Sequence, residues 1–504
     1  MKKLIVRTIA CAALALASGG FAAPNPFAKT VEMEGFRPIL HHLTAPRQAI
    51  DLGGEWEACA LVCRRVTYTN DQGKAAYRLV EPPFEAAATS LWQSVRIPET
   101  RVEARENLNY YWRKSFELPK THEKGGHVAL CFERIGESYE LYVNGRKACS
   151  HAATYSWPQR IDISEFVQPG SNTVVVMTRQ DGVRRPWCDS PVWEDNAETG
   201  ITRPVHVEFT GAVYVKELAH SCRLVPGKDG KDAKVLDVRV LVRNDRPEAV
   251  EAVLTGHPGI SWANFPERKV ALGPRSEKWV TFSYPCDRVP FWSPDKPTLV
   301  TMTVRVAVGR KVTDALSQRY GFREFKAVGH RFYLNGRPYM NKRATWNGVG
   351  GKYCADKEWF FRQFARFRER GIHSFRVFGG DVPRMCEAAD EYGMLLTPVA
   401  HAGCGAAWRT DRFWPLYENQ LCEMTRALRH HPSIIYWNVS NEFGSIYGGD
   451  EGGPREKQTT ARQVAAAKKM LAIDPTRLWE ACGEVELGYP IKGNEGPAPI
   501  RSYH

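Results

Sequence analysis

Beyond its opening segment the sequence has no apolar run long enough to cross a bilayer, which takes about 20 residues as a helix. No Gly-rich phosphate loop follows any strand-like segment, which counts against a nucleotide-binding sheet. No Cys/His cluster has the spacing of a zinc site. Neither a metal nor a cofactor is therefore expected, and no membrane span. Charge of one sign is not massed anywhere: 69 Lys and Arg are scattered among 56 Asp and Glu. The formal charge of +13 thus reads as a solvated surface, and nucleic acid is not expected as a partner. Cysteine is sparse, 13 in 504 residues, and irregularly spaced. A chain this long can fold on burial alone, so at most one or two disulfides are expected, with Cys59 and Cys63 the closest pair.

What the sequence does have begins with Met-Lys-Lys, an apolar run from about Ile9 to Ser18, and the small residues Gly19, Gly20, Ala22 and Ala23. This pattern is that of a secretory leader, cut after Ala22 because Pro24 disfavours a cut one residue later. A periplasmic or secreted protein is expected. From about residue 40 to 320 short alternating runs are broken by Gly, Pro, Asn and Asp, such as Val128-Ala-Leu-Cys-Phe, Tyr139-Glu-Leu-Tyr-Val and Thr173-Val-Val-Val-Met. These are strands of β-sandwiches, and Asn144-Gly145 supplies a tight hairpin turn. A second all-β block opens near Val213, with Val235-Leu-Asp-Val-Arg-Val-Leu-Val as its clearest strand.

After residue 330 the period changes. Trp359, Phe360, Phe364 and Phe367 line one face of a helix that Gly371 stops, and the strand Ile372 to Phe378 follows. The unit repeats: strands Met394 to Val399, Ile434 to Val439 and Leu478 to Cys482 alternate with helices near Pro383 to Tyr392, Trp414 to Arg429 and Pro454 to Ile473. Repeated units of this kind form a doubly wound sheet or a barrel. In a barrel, functional side chains come from the carboxyl ends of strands, which singles out Trp346, Asn347, Arg376, His401, Asn441 and Glu442. A carboxyl group at the rim of the apolar strand Ile434-Ile-Tyr-Trp-Asn-Val is partly desolvated, and a raised pKa suits a general acid. Trp346, Trp408 and Trp414 fall on rim loops where a flat ring can stack on a sugar or simply pack.

His431-Pro-Ser-Ile-Ile-Tyr-Trp-Asn-Val-Ser-Asn-Glu442 resembles the acid/base strand of the family-2 glycoside hydrolases, the β-galactosidases, β-glucuronidases and β-mannosidases. Segments in the same order support it. Tyr110-Tyr-Trp-Arg-Lys-Ser-Phe-Glu-Leu-Pro, Glu140-Leu-Tyr-Val-Asn-Gly-Arg and Gly200-Ile-Thr-Arg-Pro-Val resemble that family's sugar-binding domain. Gly321-Phe-Arg-Glu-Phe and Phe332-Tyr-Leu-Asn-Gly-Arg-Pro resemble its approach to the barrel. After the leader over 1–22, the resemblance implies a jelly-roll sugar-binding domain over 24–212, an immunoglobulin-like β-sandwich over 213–324, and a partial (β/α)8 TIM barrel of five to six strands over 325–504. It implies hydrolysis of terminal β-glycosidic bonds with retention and a carbohydrate as partner, in a chain that can also self-associate. Glu442 becomes the acid/base, and Asn441 the residue that holds the hydroxyl beside the anomeric carbon. Arg376 becomes the arginine beneath the nucleophile, with a buried structural pair as the alternative. His401 and Trp346 become sugar contacts. The nucleophilic glutamate that the family carries after its seventh strand has no counterpart in these residues. Glu480, Glu484 and Glu486 read as ordinary polar positions. The chain is then either the front part of such an enzyme or a non-catalytic carbohydrate-binding form of it.

Overall fold

Residues that alternate in burial build two sandwiches in succession. The computed structural model describes most of residues 46–179, 198–347, 357–400, 413–441, 454–482 and 500–501, apart from short stretches within those spans. In the first sandwich, Gly170–Arg179 buries Val174 and Val176 and pairs antiparallel with both Leu108–Leu118 and Ser138–Val143. It lies inside a six-stranded sheet that faces a four-stranded one formed by Gln48–Asp51, Val205–Phe209, Val128–Phe132 and Gln159–Asp162. Trp56, Trp112, Tyr110 and Phe132 fill the space between. The Asn144-Gly145 turn has positive φ at both residues (50° and 76°), as a two-residue hairpin requires. Gly200, at φ 97°, is fixed by packing: a Cβ there would fall inside the Trp112 ring.

The second sandwich sets Val213–Pro226, Asp232–Asn244 and Glu277–Pro285 against Arg268–Leu272, Val250–His257, Val300–Val308 and Lys311–Tyr320. Its core includes Phe265, Phe282, Met302 and Tyr320. Arg47 welds the two sandwiches together. Its guanidinium donates to Asp314 at 2.7 and 3.1 Å, to Glu208 at 3.4 Å and to the carbonyl of Val215 at 2.7 Å, with all three charged side chains buried.

A three-stranded antiparallel sheet, Phe325–Val328, Arg331–Leu334 and Arg337–Tyr339, leads into the third region. There the strands run parallel: β1 (Arg343–Asn347), β2 (Ser374–Phe378) and β3 (Leu395–Pro398) form one sheet, and β4 (Tyr436–Asn441), β5 (Leu478–Cys482) and β6 (Ile500–Arg501) another. Parallel bridges from Leu396 to Ile434 and from Val399 to Asn438 join the two. Helices α1 (Lys357–Arg368), α2 (Val382–Tyr392), α3 (Phe413–Leu428) and α4 (Pro454–Ile473) connect successive strands through β5. Helix α2 shows how the boundaries arise: Asp381 caps its first turn, Pro383 follows where no N–H is needed, and Gly393 ends it at φ 90°. Among the described residues the parallel array is an arc of six strands, not a closed barrel.

The arc has two faces. Phe375, Val377, Trp437, Val439 and Trp479 point outward into a core shared with Phe360, Phe364, Met385, Leu421 and Met470 of the helices. Leu395, Tyr436 and Leu478 point inward at the amino ends, onto Phe325 and Trp292. The eight cysteines whose side chains are described are free thiols. Cys59 and Cys63 stand four residues apart along an extended segment, so about 13 Å separates their Cα atoms, beyond the ~7 Å reach of a disulfide. Among the described residues no helix is long and apolar enough to cross a membrane.

Candidate functional site

In-register partners of parallel strands share a face, so the pairs Thr345 with Arg376, Arg376 with Thr397 and Asn438 with Glu480 define one inward polar layer. Glu480 lies at its centre with no exposed surface. Its Oε1 accepts from Arg343 at 2.6 Å and from Asn438 at 2.8 Å. Arg343 also donates to the hydroxyl of Tyr436 at 2.7 Å. Burial raises the Glu480 carboxyl above the usual carboxylate range, and the Arg343, Asn438 and Arg376 side chains offset that only in part. The expectation that Glu480 is an ordinary polar position is thus overturned: it is a buried acid on the inner face. The alternation in Leu478-Trp-Glu-Ala-Cys puts Trp479 and Glu480 on opposite faces, but which of them looks inward is decided by the partner strands.

Arg376 is buried on β2 in the same layer, where its charge acts on Glu480. Trp346 requires a correction. It alternates with Arg343 and Thr345 along β1 and so faces the helices, where its ring lies 5.7 Å from Trp359, 5.3 Å from Phe375 and 6.1 Å from Phe367. That packing makes the ring a partly buried part of the helix-side core. Of the two readings left open for Trp414, packing is the one the structure shows: it is buried in the first turn of α3 against Phe413 and Tyr417. Glu442, His401 and Trp408 lie outside the described residues, and of Asn441 the backbone alone is described.

That backbone carries a distinctive feature. Between Asn438 and Asn441 the register with β5 shifts, so that three steps on β4 match the two from Glu480 to Cys482. The resulting bulge places Asn441 at the inner-face position of the carboxyl end and bends the strand there. It is anchored from both sides. Tyr417 of α3 donates to the carbonyl of Val439 at 2.9 Å, and Gln463 of α4 donates to the hydroxyl of Ser440 at 2.9 Å. Within β4, the N–H of Ser440 donates to Asn438 at 3.1 Å. No sequence pattern announced this bulge.

The first sandwich closes on the same carboxyl ends. Arg203, in Gly200-Ile-Thr-Arg-Pro-Val, pairs with Asp381 at 2.5 Å, and Arg384 pairs with Glu133 at 2.6 Å. Burial pushes the Asp381 carboxyl up, but the charges of Arg203 and Arg384 hold it below its ordinary range. His151 and Glu423 meet at 2.9 Å, and Trp157 reaches into the helix-side core. Three groups of potential metal ligands occur among the described residues, yet their carboxylates are engaged. Glu208 faces Arg47 and Arg160, Glu387 faces Arg319, and His127, between Asp162 and Asp245, is pushed down to about 3 by burial and Arg160.

Residues 83–209 match the glycosyl hydrolases family 2 sugar binding domain. An exo-β-D-glucosaminidase of Amycolatopsis orientalis is 24% identical over 380 residues, 68% of this chain and 34% of that protein. A β-galactosidase of Klebsiella pneumoniae is 22% identical over 444 residues, 80% of this chain and 41% of that protein. Among solved structures, a β-glucuronidase of Bacteroides uniformis superposes with a TM-score of 0.68 at 19% identity, covering 86% of this chain and 52% of that one. A GH2 β-galacturonidase from Eisenbergiella tayi bound to galacturonate gives 0.64 at 20% identity, covering 86% and 71%. At these identities the superpositions establish the multidomain fold alone. The matched domain and the curated relatives make the chain similar to family-2 glycoside hydrolases. The chain spans between 31% and 45% of the length of the first curated relatives.

Proposed function

We propose that these residues belong to an exported, retaining β-glycosidase, and that they supply the acid/base half of its chemistry. The six parallel strands are then part of an eight-stranded barrel whose carboxyl rim holds a terminal β-linked sugar. Glu442, directly after the bulge of β4, protonates the departing glycosidic oxygen and later draws a proton from the attacking water. Its partner carboxylate stands about 5 Å away in a retaining enzyme. Asn441 holds the hydroxyl beside the anomeric carbon, His401 contacts the sugar, and Arg376 and Glu480 form the charged floor on which the sugar rests. What supports this reading is the bulge, clamped by Tyr417 and Gln463, which leaves the backbone of Asn441, the residue before Glu442, at the inner-face register of the carboxyl end of the strand that carries Asn438.

The test uses the full reading frame that contains these residues. Glu442→Gln should lower turnover by about two to four orders of magnitude on glycosides with poor leaving groups, the usual contribution of a general acid, while sparing activated aryl glycosides. Equal losses on both substrate classes would refute the assignment. Calorimetric titration of the Glu442→Gln protein with a panel of methyl β-glycosides gives the sugar, since binding does not require the proton.

A further inference from the structure

A second polar pocket lies at the other end of the parallel array, where the second sandwich meets the segments that precede β4 and β5. Arg323, Arg429, Arg477, His220, His430 and Thr476 line it, around a cavity of about 40 Å³. One water occupies roughly 10–15 Å³ on this scale, so the space suits a few waters or one small ion. Its three guanidiniums are almost wholly buried. Two of them converge on one atom: Arg323 and Arg477 both donate to the carbonyl oxygen of Ile434.

Two of the three arginines have a carboxylate partner, and the carboxylate of Glu324 also lines the pocket. Asp474 pairs with Arg477 at 2.6 Å, Glu217 pairs with Arg429, and Asp390 pairs with His431 at 2.6 Å. Glu324, also in the lining, pairs with Lys326 at 2.9 Å. Arg323 is left with two backbone carbonyls, those of Pro432 and Ile434, and no carboxylate. A buried cation without a counter-charge is costly. The field at the pocket records the imbalance: burial and the neighbouring Arg477 pull the Arg323 guanidinium down to about 9, and His220, buried beside the same arginines, is pushed down to about 3.

We propose that this pocket binds a tetrahedral oxyanion, phosphate or sulfate, which Arg323 and Arg429 hold at the joint between the second sandwich and the parallel array. Arg323 enters from the end of the sandwich, whereas Arg429 and His430 come from the turn after α3, so the anion touches both bodies and fixes their angle. It sits at the amino ends of the strands, opposite the rim proposed for sugar, and so acts on stability and domain setting instead of on the reaction.

The experiment titrates the whole chain with inorganic phosphate and with sulfate, and with chloride as control at matched ionic strength and pH, following thermal unfolding and phosphate binding by calorimetry. A saturable rise in midpoint with phosphate or sulfate, of about 2 °C or more for one added site in a body of this size, and none with chloride, is the expected result. Arg323→Met should abolish the response while leaving the anion-free midpoint unchanged or higher, because an unpaired buried charge is gone. If that variant fails to fold, His430→Gln provides the second reading and should weaken phosphate binding several-fold. An equal rise with chloride, no calorimetric binding by the unaltered chain, or an undiminished phosphate response in Arg323→Met would overturn the proposal.

Discussion

Arg203 of the first sandwich and Asp381, the cap of α2, form an ion pair 2.5 Å long whose side chains are only 1% and 4% exposed. The pair ties the Gly200-Ile-Thr-Arg-Pro-Val segment to the loop that follows β2, so the sandwich is part of the wall around the carboxyl rim. Removing one partner strands the other charge. Arg203→Leu should therefore destabilise the protein by about 3–5 kcal/mol, whereas the double variant Arg203→Leu/Asp381→Leu should recover most of that loss. Urea unfolding followed by tryptophan fluorescence measures both, and a double variant as unstable as the single one would show that the pair contributes through packing instead of charge.

Glu480 supplies a pH signature. Because burial raises its carboxyl in the folded protein above the 4.5 of an ordinary glutamate, the folded state binds its proton to higher pH than the unfolded chain does. Stability should fall as pH rises from the unfolded value to the folded one, by at most about 1.4 kcal/mol per pH unit, and level off beyond. Glu480→Gln keeps an acceptor for Arg343 and Asn438 but cannot titrate. Its unfolding midpoint should lack this decline and equal or exceed the parent's at pH 8. Glu480→Ala, which takes the shared acceptor away from Arg343 and Asn438, should instead lose up to about 3 kcal/mol, with the deficit largest at low pH, where the parent still holds the extra proton.

The bulge in β4 can be loosened without touching the rim. Tyr417→Phe and Gln463→Leu each remove one hydrogen bond to it, worth about 1 kcal/mol of stability. If the bulge sets the Asn441-Glu442 step, each variant should also weaken sugar binding several-fold in calorimetry while the far-ultraviolet dichroism stays unchanged. Unaltered binding in both would separate the bulge from the site.

Gly200→Ala should be among the most damaging small substitutions in the chain. The new methyl group would enter the Trp112 ring from a backbone at φ 97°, combining overpacking with left-handed strain. A loss of about 3 kcal/mol or more is expected, read from the urea midpoint, and Trp112→Phe in the same background should restore part of it.

Much of this architecture was legible in residue patterns. The runs at Val128, Tyr139 and Thr173 are strands, and the helix and strand units from Trp359 to Cys482 fall where their periods place them, because burial of one face is a local property of sequence. What periodicity leaves open is which face is which. Trp346 and Arg343 differ in parity by one step on β1, and only the partner strands decide which of them looks inward; the aromatic residue was assigned to the sugar although its ring fills the gap behind α1. Glu480 was passed over for the matching reason. Its neighbours Arg343 and Asn438 lie 137 and 42 residues away, so its burial is set by tertiary pairing. The bulge before Asn441 depends on side chains from two helices and leaves no trace in β4 itself.

Arg47 makes a last point about order in time. Its guanidinium sits near the start of the described chain, while Asp314, its principal counter-charge, lies 267 residues later. During synthesis the opening sandwich therefore emerges with Arg47 facing Glu208 alone until the final strand of the following one has left the ribosome. The two modules should not mature as separate beads; locking of the former waits on completion of the latter, and a nascent chain halted before residue 314 should remain sensitive to protease near its amino-terminal strand.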